Sequence, residues 1–239
     1  MATLLLGDCL QVMAGLPNKS VDCFVCDLPY GCLTTPRASV GPGWRKEVEA
    51  GKKKTLYRET KEVCAWDVKI DLVEFWKQVR RLAKDEHTPV LMFCNTQFGY
   101  ELIASNPKWF RYDLVWNKEQ GVSFLLANKM PMKSHEMIYV FSKAGATYNR
   151  IKSANRCPLS VITLNKQIAN FKKQHPTEKP KELYEWLLSR YVRKDGLVLD
   201  PTAGSFNSIA VARQLGFRAI GIEKDNGFFW KGVNKLQSN

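Results

Sequence analysis

VDCFVCDLPY, residues 21–30, joins a short apolar run to an abrupt polar turn. Val21, Phe24, Val25 and two cysteines make a run of strand length, and Pro29 and Gly31 end it. Such a run reads as a buried strand of a parallel sheet. In open α/β sheets, ligands bind at the carboxyl ends of the strands. An acid, a proline and an aromatic packed into four residues at such an end suit one task. The Asp27 carboxylate and the Leu28 carbonyl can accept both protons of an exocyclic amine. Pro29 stiffens the turn, and Tyr30 offers a ring face on which a base stacks.

Regular structure alternates outward from this stretch. On its amino side, residues 3–6 read as a strand, and Leu10, Val12, Met13 and Leu16 form a short helical face. On its carboxyl side, Leu72, Phe75, Trp76, Val79 and Leu82 repeat at helical spacing. Residues 89–94 read as a strand, residues 99–104 as part of a helix, and residues 112–116 and 137–141 as two more strands. Leu183, Trp186, Leu187 and Tyr191 then share a helical face, with Pro180 suited to the first turn. Strands at 197–200 and 219–223 flank a helix that Gly216 stops, and residues 229–236 close the chain as a helix. Strands alternating with helices imply the α/β class, a doubly wound sheet with helices on both faces. A length of 239 residues fits one such domain, residues 1–239.

The strand, turn, helix, strand unit of residues 197–223 carries a second site. Asp200-Pro201-Thr202-Ala203-Gly204-Ser205 is a small-residue turn where backbone can approach a ligand at a helix N-terminus. Glu223 closes the next strand, where an acid commonly accepts hydrogen bonds from ribose hydroxyls. The full G-x-G-x-x-G of dinucleotide sites is missing, so a nucleoside without pyrophosphate, such as S-adenosylmethionine, suits the turn better. A glycine turn with an acidic strand end also occurs in many α/β folds that bind no such ligand.

Charge points to the partner. Residues 37–61 hold eight basic and three acidic residues, and residues 143–173 hold seven basic and none acidic, which together supply +12 of the net +13. Charge confined to two weakly patterned stretches is the footprint of a polyanion, here nucleic acid. Lys52, Lys53 and Lys54 in the first stretch, and Arg150 and Arg156 in the second, are the candidate DNA-binding residues. Phosphate contact is the commoner outcome for such arginines, and guanine edges are the alternative. Seven cysteines without a secretory signal imply reduced thiols in an intracellular, soluble protein. No apolar run is long enough to cross a membrane. Cys23 and Cys26 are three apart on a strand and so face opposite sides, and no metal site is expected.

These motifs together resemble a known family. Asp27-Leu28-Pro29-Tyr30 is similar to the Asp-Pro-Pro-Tyr motif of amino-methylating DNA methyltransferases. HPTEKP (175–180), VLDPTAGS (198–205) and AIGIEKD (219–225) look like that family's motifs ten, one and two. They follow the Asp27 motif rather than precede it, an order similar to the circularly permuted β group. The match continues through Trp66-Asp67, residues 114–118 and residues 135–141, and so covers most of the chain outside the basic stretches.

The resemblance implies a Rossmann-like methyltransferase sheet with S-adenosylmethionine as cofactor. It implies a target base flipped out of double-stranded DNA onto Asp27, Leu28, Pro29 and Tyr30, with Tyr139 or Phe141 as weaker candidates for the second stacking face. Asp200, Pro201, Ala203, Gly204, Ser205 and Glu223 would hold the cofactor, with Thr177 and Lys179 near its methionine carboxylate. Residues 33–65 become a basic insert, 144–173 a target-recognition segment and 174–239 the cofactor-binding half. N6-adenine is the expected target because an Asp opens the motif, whereas cytosine-N4 enzymes more often carry Ser there. Cytosine-N4, RNA or protein substrates are the alternative within the chemistry, and a catalytically silent nucleic-acid-binding module is the alternative outside it. The family setting is restriction–modification, which allows a homodimer and a cognate restriction endonuclease as further partners. Two departures stand out. Leu28 replaces the motif's first proline, where only a backbone carbonyl is needed. Phe206 replaces the cofactor turn's second glycine and is expected to narrow the methionine pocket or shift the turn.

Overall fold

The apolar run of residues 21–30 forms strand β2 (Cys23–Cys26), every residue of which is buried. Its neighbour β3 (Val90–Cys94) is buried throughout as well. Both read as continuous apolar runs because helices cover a parallel sheet on both faces. In this computed structural model, residues 1–31, 68–122, 127–151, 156–164 and 178–237 are described. Contacts divide the chain into a main unit, Met1–Leu28 with Asp71–Asn239, and a second unit, Pro29–Ile70.

The remaining strands of the main unit are β1 (Ala2–Leu6), β4 (Phe110–Val122), β5 (Lys133–Phe141), β6 (Val161–Thr163), β7 (Leu197–Asp200) and β8 (Arg218–Glu223). They make an eight-stranded sheet in the order β1-β8-β7-β2-β3-β5-β4-β6. Strand β5 runs antiparallel to β3 and β4, and every other pairing is parallel. The sheet is therefore mixed, a feature that strand–helix alternation alone does not disclose. The cause is local: β4 ends at Val122 and β5 starts at Lys133, a connection shorter than the dozen or so residues a crossover needs, so they pair as a hairpin. Both strands are also longer than their apolar segments, because the hairpin continues past the core into polar sequence.

Helices α1 (Cys9–Ala14), α2 (Leu72–Leu82), α3 (Thr96–Ser105), α4 (Lys181–Tyr191), α5 (Asn207–Gln214) and α6 (Asn226–Gln237) flank the sheet. Helix α2 starts where Asp71 accepts hydrogen bonds from Val73 N at 2.8 Å and Glu74 N at 3.2 Å, and it buries Phe75, Trp76, Val79 and Leu82. Cys23, Val25, Leu91 and Phe93 pack with Leu183, Tyr184 and Leu187 of α4 in one cluster. Trp76 of α2 lies on Phe141, 5.1 Å between ring centroids, under the other pleat face. Helices thus cover both faces, and the i, i+3 cysteines Cys23 and Cys26 point to opposite ones.

Phe206 shows how one substitution was absorbed. Its backbone takes the left-handed conformation, φ 56°, that favours glycine. Its ring goes into the core, fully buried and edge-on to Phe229 at 6.0 Å. Two glycines make room: a Cβ at Gly232 would stand 2.0 Å from the ring, and one at Gly221 would stand 2.8 Å away. The expected intrusion into the cofactor pocket is therefore not what occurs. Left-handed strain of about 1–2 kcal/mol is offset by burying a phenyl ring, worth about 1.5–3 kcal/mol. Gly232→Ala is expected to destabilise the protein by about 1–3 kcal/mol through overpacking, read from urea denaturation midpoints. An unchanged midpoint would show that the ring has another place to go.

Candidate active site

Strands β2 and β7 are parallel neighbours, with Cys23 opposite Val198 and Phe24 opposite Leu199. From β7 the chain winds outward to β8, and from β2 it winds the other way to β3. Their adjacent carboxyl ends are the switch point of the sheet, the place where such folds bind ligands. Asp27 extends from one end and Asp200 closes the other. The Thr202 hydroxyl donates to the main-chain oxygen of Asp27 at 3.1 Å, tying the two turns together. Leu28 is buried, and Pro29 and Tyr30 are half-buried at the start of the second unit.

Lys179 reaches the first turn from the segment before α4. Its ammonium, buried, lies 2.6 Å from Asp27 Oδ2 and 3.4 Å from Glu136 Oε2. Glu136, on β5, holds Lys118 of β4 with its other oxygen. Burial alone would lower the Lys179 pKa, but Asp27 and Glu136 reverse that and hold it above the ordinary lysine value. For Glu136, burial would raise the pKa, and Lys179 and Lys118 more than offset it, leaving it below the usual carboxylate range. The site therefore holds a row of alternating charges, Asp27, Lys179, Glu136 and Lys118. Asn207, at the start of α5, donates to the Lys179 carbonyl at 2.8 Å and to Glu178 at 2.9 Å, and this fixes the segment.

The second turn is built as the small residues foretell. Gly204 has φ 50°, and Pro201, Ala203, Gly204 and Ser205 are buried. Glu223 accepts from Gly204 N and Asp225 N, both at 2.8 Å, one through each oxygen. Each carboxylate oxygen has lone-pair capacity beyond that one bond, so Glu223 can accept further hydrogen bonds. Burial raises its pKa despite these bonds. Asp200, buried, accepts from Thr202 N at 3.0 Å and from the Ser208 hydroxyl, so it shapes the turn from below. With Phe206 turned into the core, the donor set and the small turn fit an adenosine-type ligand such as S-adenosylmethionine.

Several expected residues lie elsewhere. Lys179, expected at the methionine carboxylate, ends on Asp27. Tyr139, half-buried, packs against Phe110 at 5.3 Å and beneath Gly99 of α3, and Phe141 is buried against Trp76. Arg150 and Arg156 are exposed. Residues 142–151 follow the end of β5 at the amino edge of the parallel strands, held by Ala144 N on Glu86 O, Thr147 N on His87 O and Asn149 N on Arg190 O. Arg156 precedes β6, whose first residue, Val161, lies opposite Val115 of β4. Lys52, Lys53, Lys54 and Thr177 lie outside the described residues. Glu136, Lys118 and Thr202 were missed as site residues. Glu136 and Lys118 sit inside motif matches, but only pairing of β4 with β5 reveals that they meet.

A family profile described as DNA methylase, of the N6/N4 methyltransferase type, matches residues 21–231. The Type II methyltransferase M.HinfI of Haemophilus influenzae is 27% identical over 260 aligned residues, covering 98% of this chain and 68% of its own length. Among solved structures, M1.HpyAVI in its SAM complex superimposes with a TM-score of 0.67 at 17% identity, covering 99% of both chains. The PvuII DNA methyltransferase, cytosine-N4-specific, superimposes with a TM-score of 0.72 at 15% identity, covering 99% of this chain and 90% of its own. These structural likenesses bear on the fold.

Asp200 makes the turn sensitive to pH. Burial, with smaller contributions from the charges of Asp27 and Glu223, raises its pKa from 3.8 to about 7, against the lowering effect of the Ser208 and Thr202 hydrogen bonds. Between those values the unfolded chain has released the proton and the folded chain keeps it. Stability must then fall as pH rises through that window, by up to about 1.4 kcal/mol per unit from this site. Asp200→Asn should remove this contribution, so the stability difference between wild type and variant shrinks from pH 4 toward pH 7 in urea titrations. Parallel pH profiles would place the proton elsewhere.

Proposed function

The chain belongs to the N6/N4 family of DNA methylases, and we propose that it methylates the N6 amine of adenine in double-stranded DNA. S-adenosylmethionine supplies an electrophilic methyl group when bound. The observation that carries the reading is Asp27 at the switch point, with its carbonyl fixed by Thr202 and the nucleoside-type turn beside it. An exocyclic amine is a poor nucleophile because its lone pair is delocalised into the ring. Hydrogen bonds from its two protons to the Asp27 carboxylate and the Leu28 carbonyl favour a more tetrahedral nitrogen. With S-adenosylmethionine held by the turn at residues 200–205 and Glu223, that nitrogen would take the methyl group as the methyl–sulfur bond breaks toward sulfur, and one amine proton would leave to water.

A duplex base must leave the stack to reach this turn, at a cost of a few kcal/mol that stacking and pocket hydrogen bonds recover. The stacking role of Tyr30 rests on its sequence position, three residues after Asp27. Glu223 takes the ribose hydroxyls, and the turn at residues 200–205 packs under the nucleoside. DNA is gripped by the basic stretches. Lys52, Lys53 and Lys54 contact phosphates, and Arg150 and Arg156 contact the DNA backbone rather than the flipped base. The setting is intracellular and of restriction–modification type, with site recognition in residues 144–173. Among the described residues, no helix is long and apolar enough to cross a membrane.

Three measurements test this reading. Glu223→Ala should weaken S-adenosylmethionine binding by about 1.5–3 kcal/mol in titration calorimetry, the worth of hydrogen bonds to a charged acceptor. Unchanged affinity would reject the ribose role. Asp27→Ala should abolish methyl transfer while DNA affinity persists, because Asp27 meets the base and not the phosphates. Mass spectrometry of nucleosides from treated DNA should show N6-methyladenine. N4-methylcytosine would keep the family and replace the substrate. Neutralising Lys52, Lys53 and Lys54 should weaken DNA binding on all sequences alike and flatten its salt dependence.

A further inference from the structure

The row of charges beside Asp27 has a role that the reaction itself does not explain. Lys179 is 6% exposed, and its ammonium lies over the Phe93 ring at 5.1 Å from the centroid. An ammonium buried on an aromatic floor has lost most of its water, so its partners must replace that hydration. Those partners are Asp27 Oδ2 at 2.6 Å and Glu136 Oε2 at 3.4 Å. Among the described residues Glu136 Oε2 accepts no well-aligned hydrogen bond, whereas Oε1 is held by Lys118. Lys118 is itself 5% exposed and lies over the Trp116 ring at 5.0 Å. Four charges of alternating sign thus run from β4 through β5 to the end of β2, and their sum is zero. Within this row Asp27 is the member assigned to the target amine.

A buried ion-pair row adds little net stability, because desolvation cancels most of its attraction. Its value lies in geometry. A carboxylate rotates about its last torsion in a broad, shallow well. A hydrogen bond at 2.6 Å to a cation that is fixed on its other side removes that freedom. The amine must meet its acceptor in one orientation for the lone pair to face the methyl group, and misplacement by about 1 Å costs on the order of 100-fold in rate. The backbone of Lys179 is fixed as well, through Asn207 Nδ2 on its carbonyl at 2.8 Å.

We propose that Lys179 is a positioning residue for methyl transfer: its ammonium holds Asp27 Oδ2, and Glu136 with Lys118 holds the ammonium, so that the Asp27 carboxylate is kept in one orientation toward the amine. The proposal rests on the methylase reading above. It also separates Lys179 from the cofactor, since a side chain spent on Asp27 and Glu136 contributes little to the methionine carboxylate.

The test compares wild type with Lys179→Met, which keeps length and apolar bulk without charge, Lys179→Ala, and Glu136→Gln. Each is checked for folding by its melting transition. Single-turnover methyl transfer to unmethylated duplex DNA is measured beside S-adenosylmethionine affinity by calorimetry. Lys179→Met should lose about 10- to 100-fold in rate, the size expected for a lost hydrogen bond to a charged group, while cofactor affinity stays at the wild-type value. Ethylammonium should restore part of the Lys179→Ala rate with saturation, a result that a merely structural lysine would not give. Glu136→Gln, which leaves Lys179 in place, should lose rate by a smaller factor at unchanged cofactor affinity. If cofactor affinity falls in step with rate, Lys179 is a cofactor ligand and the proposal is overturned. A full rate in Lys179→Met overturns it too, and should that variant not fold, a full rate in Glu136→Gln does the same. Wild type that transfers no methyl group to any DNA would sink the methylase reading itself, an outcome distinct from these.

Discussion

The pairing of β2 with β7 is the constraint on which the site depends. These strands are distant in sequence, yet Cys23 lies opposite Val198 and Phe24 opposite Leu199. Nothing local enforces that ladder. It forms because both runs are wholly apolar and can only be buried between two helical layers. Once they pair, their polar ends must emerge side by side, and the Thr202 hydroxyl closes the gap onto the Asp27 carbonyl. The Asp27 turn and the small-residue turn after β7 are therefore brought together by hydrophobic burial, a non-directional force, and then fixed by one directional bond. A reaction between two bound molecules gains most from that kind of fixed approach.

The same edge concentrates acids, and the fold handles each one differently. Asp27 and Glu136 are neutralised by lysines drawn from other elements. Glu223 is satisfied by two backbone amides and still raised by burial. Asp200, with a hydroxyl and one amide, is raised furthest, to about 7. Glu136, Glu223 and Asp200 follow the compensation available: two lysines carry Glu136 below its ordinary value, whereas neutral donors offset burial only in part. These acids thus differ through surroundings rather than through residue type.

How far the sequence disclosed this depends on whether a feature is local. The buried run before Asp27, the amphipathic helix of Phe75 to Leu82 and the small turn after β7 are each legible from period and punctuation, and each stands where expected. The antiparallel course of β5 was not, because an apolar strand reads the same in either direction. Phe206 misled for a related reason. A large residue in a turn looks like an obstruction until Gly221 and Gly232, 15 and 26 residues onward, are seen to open a place for its ring. Lys179 was legible as functional but not as a partner of Asp27, since the two are 152 residues apart and meet only in the folded sheet.

Charge gives the last step. The stretch of residues 143–173 reads as one basic block in sequence, but the sheet divides it. Lys143 and Arg150 lie at the amino edge, where helices such as α4 end and where cations complement the partial negative charge of a helix C-terminus. Lys143 is there within 3.6 Å of Glu86 on the surface, a pair worth little by itself. Strand β6 instead ends at the carboxyl edge, the edge of Asp27. Arg150 and Thr163 thus stand at opposite edges of the sheet, so one basic run in sequence does not make one basic face.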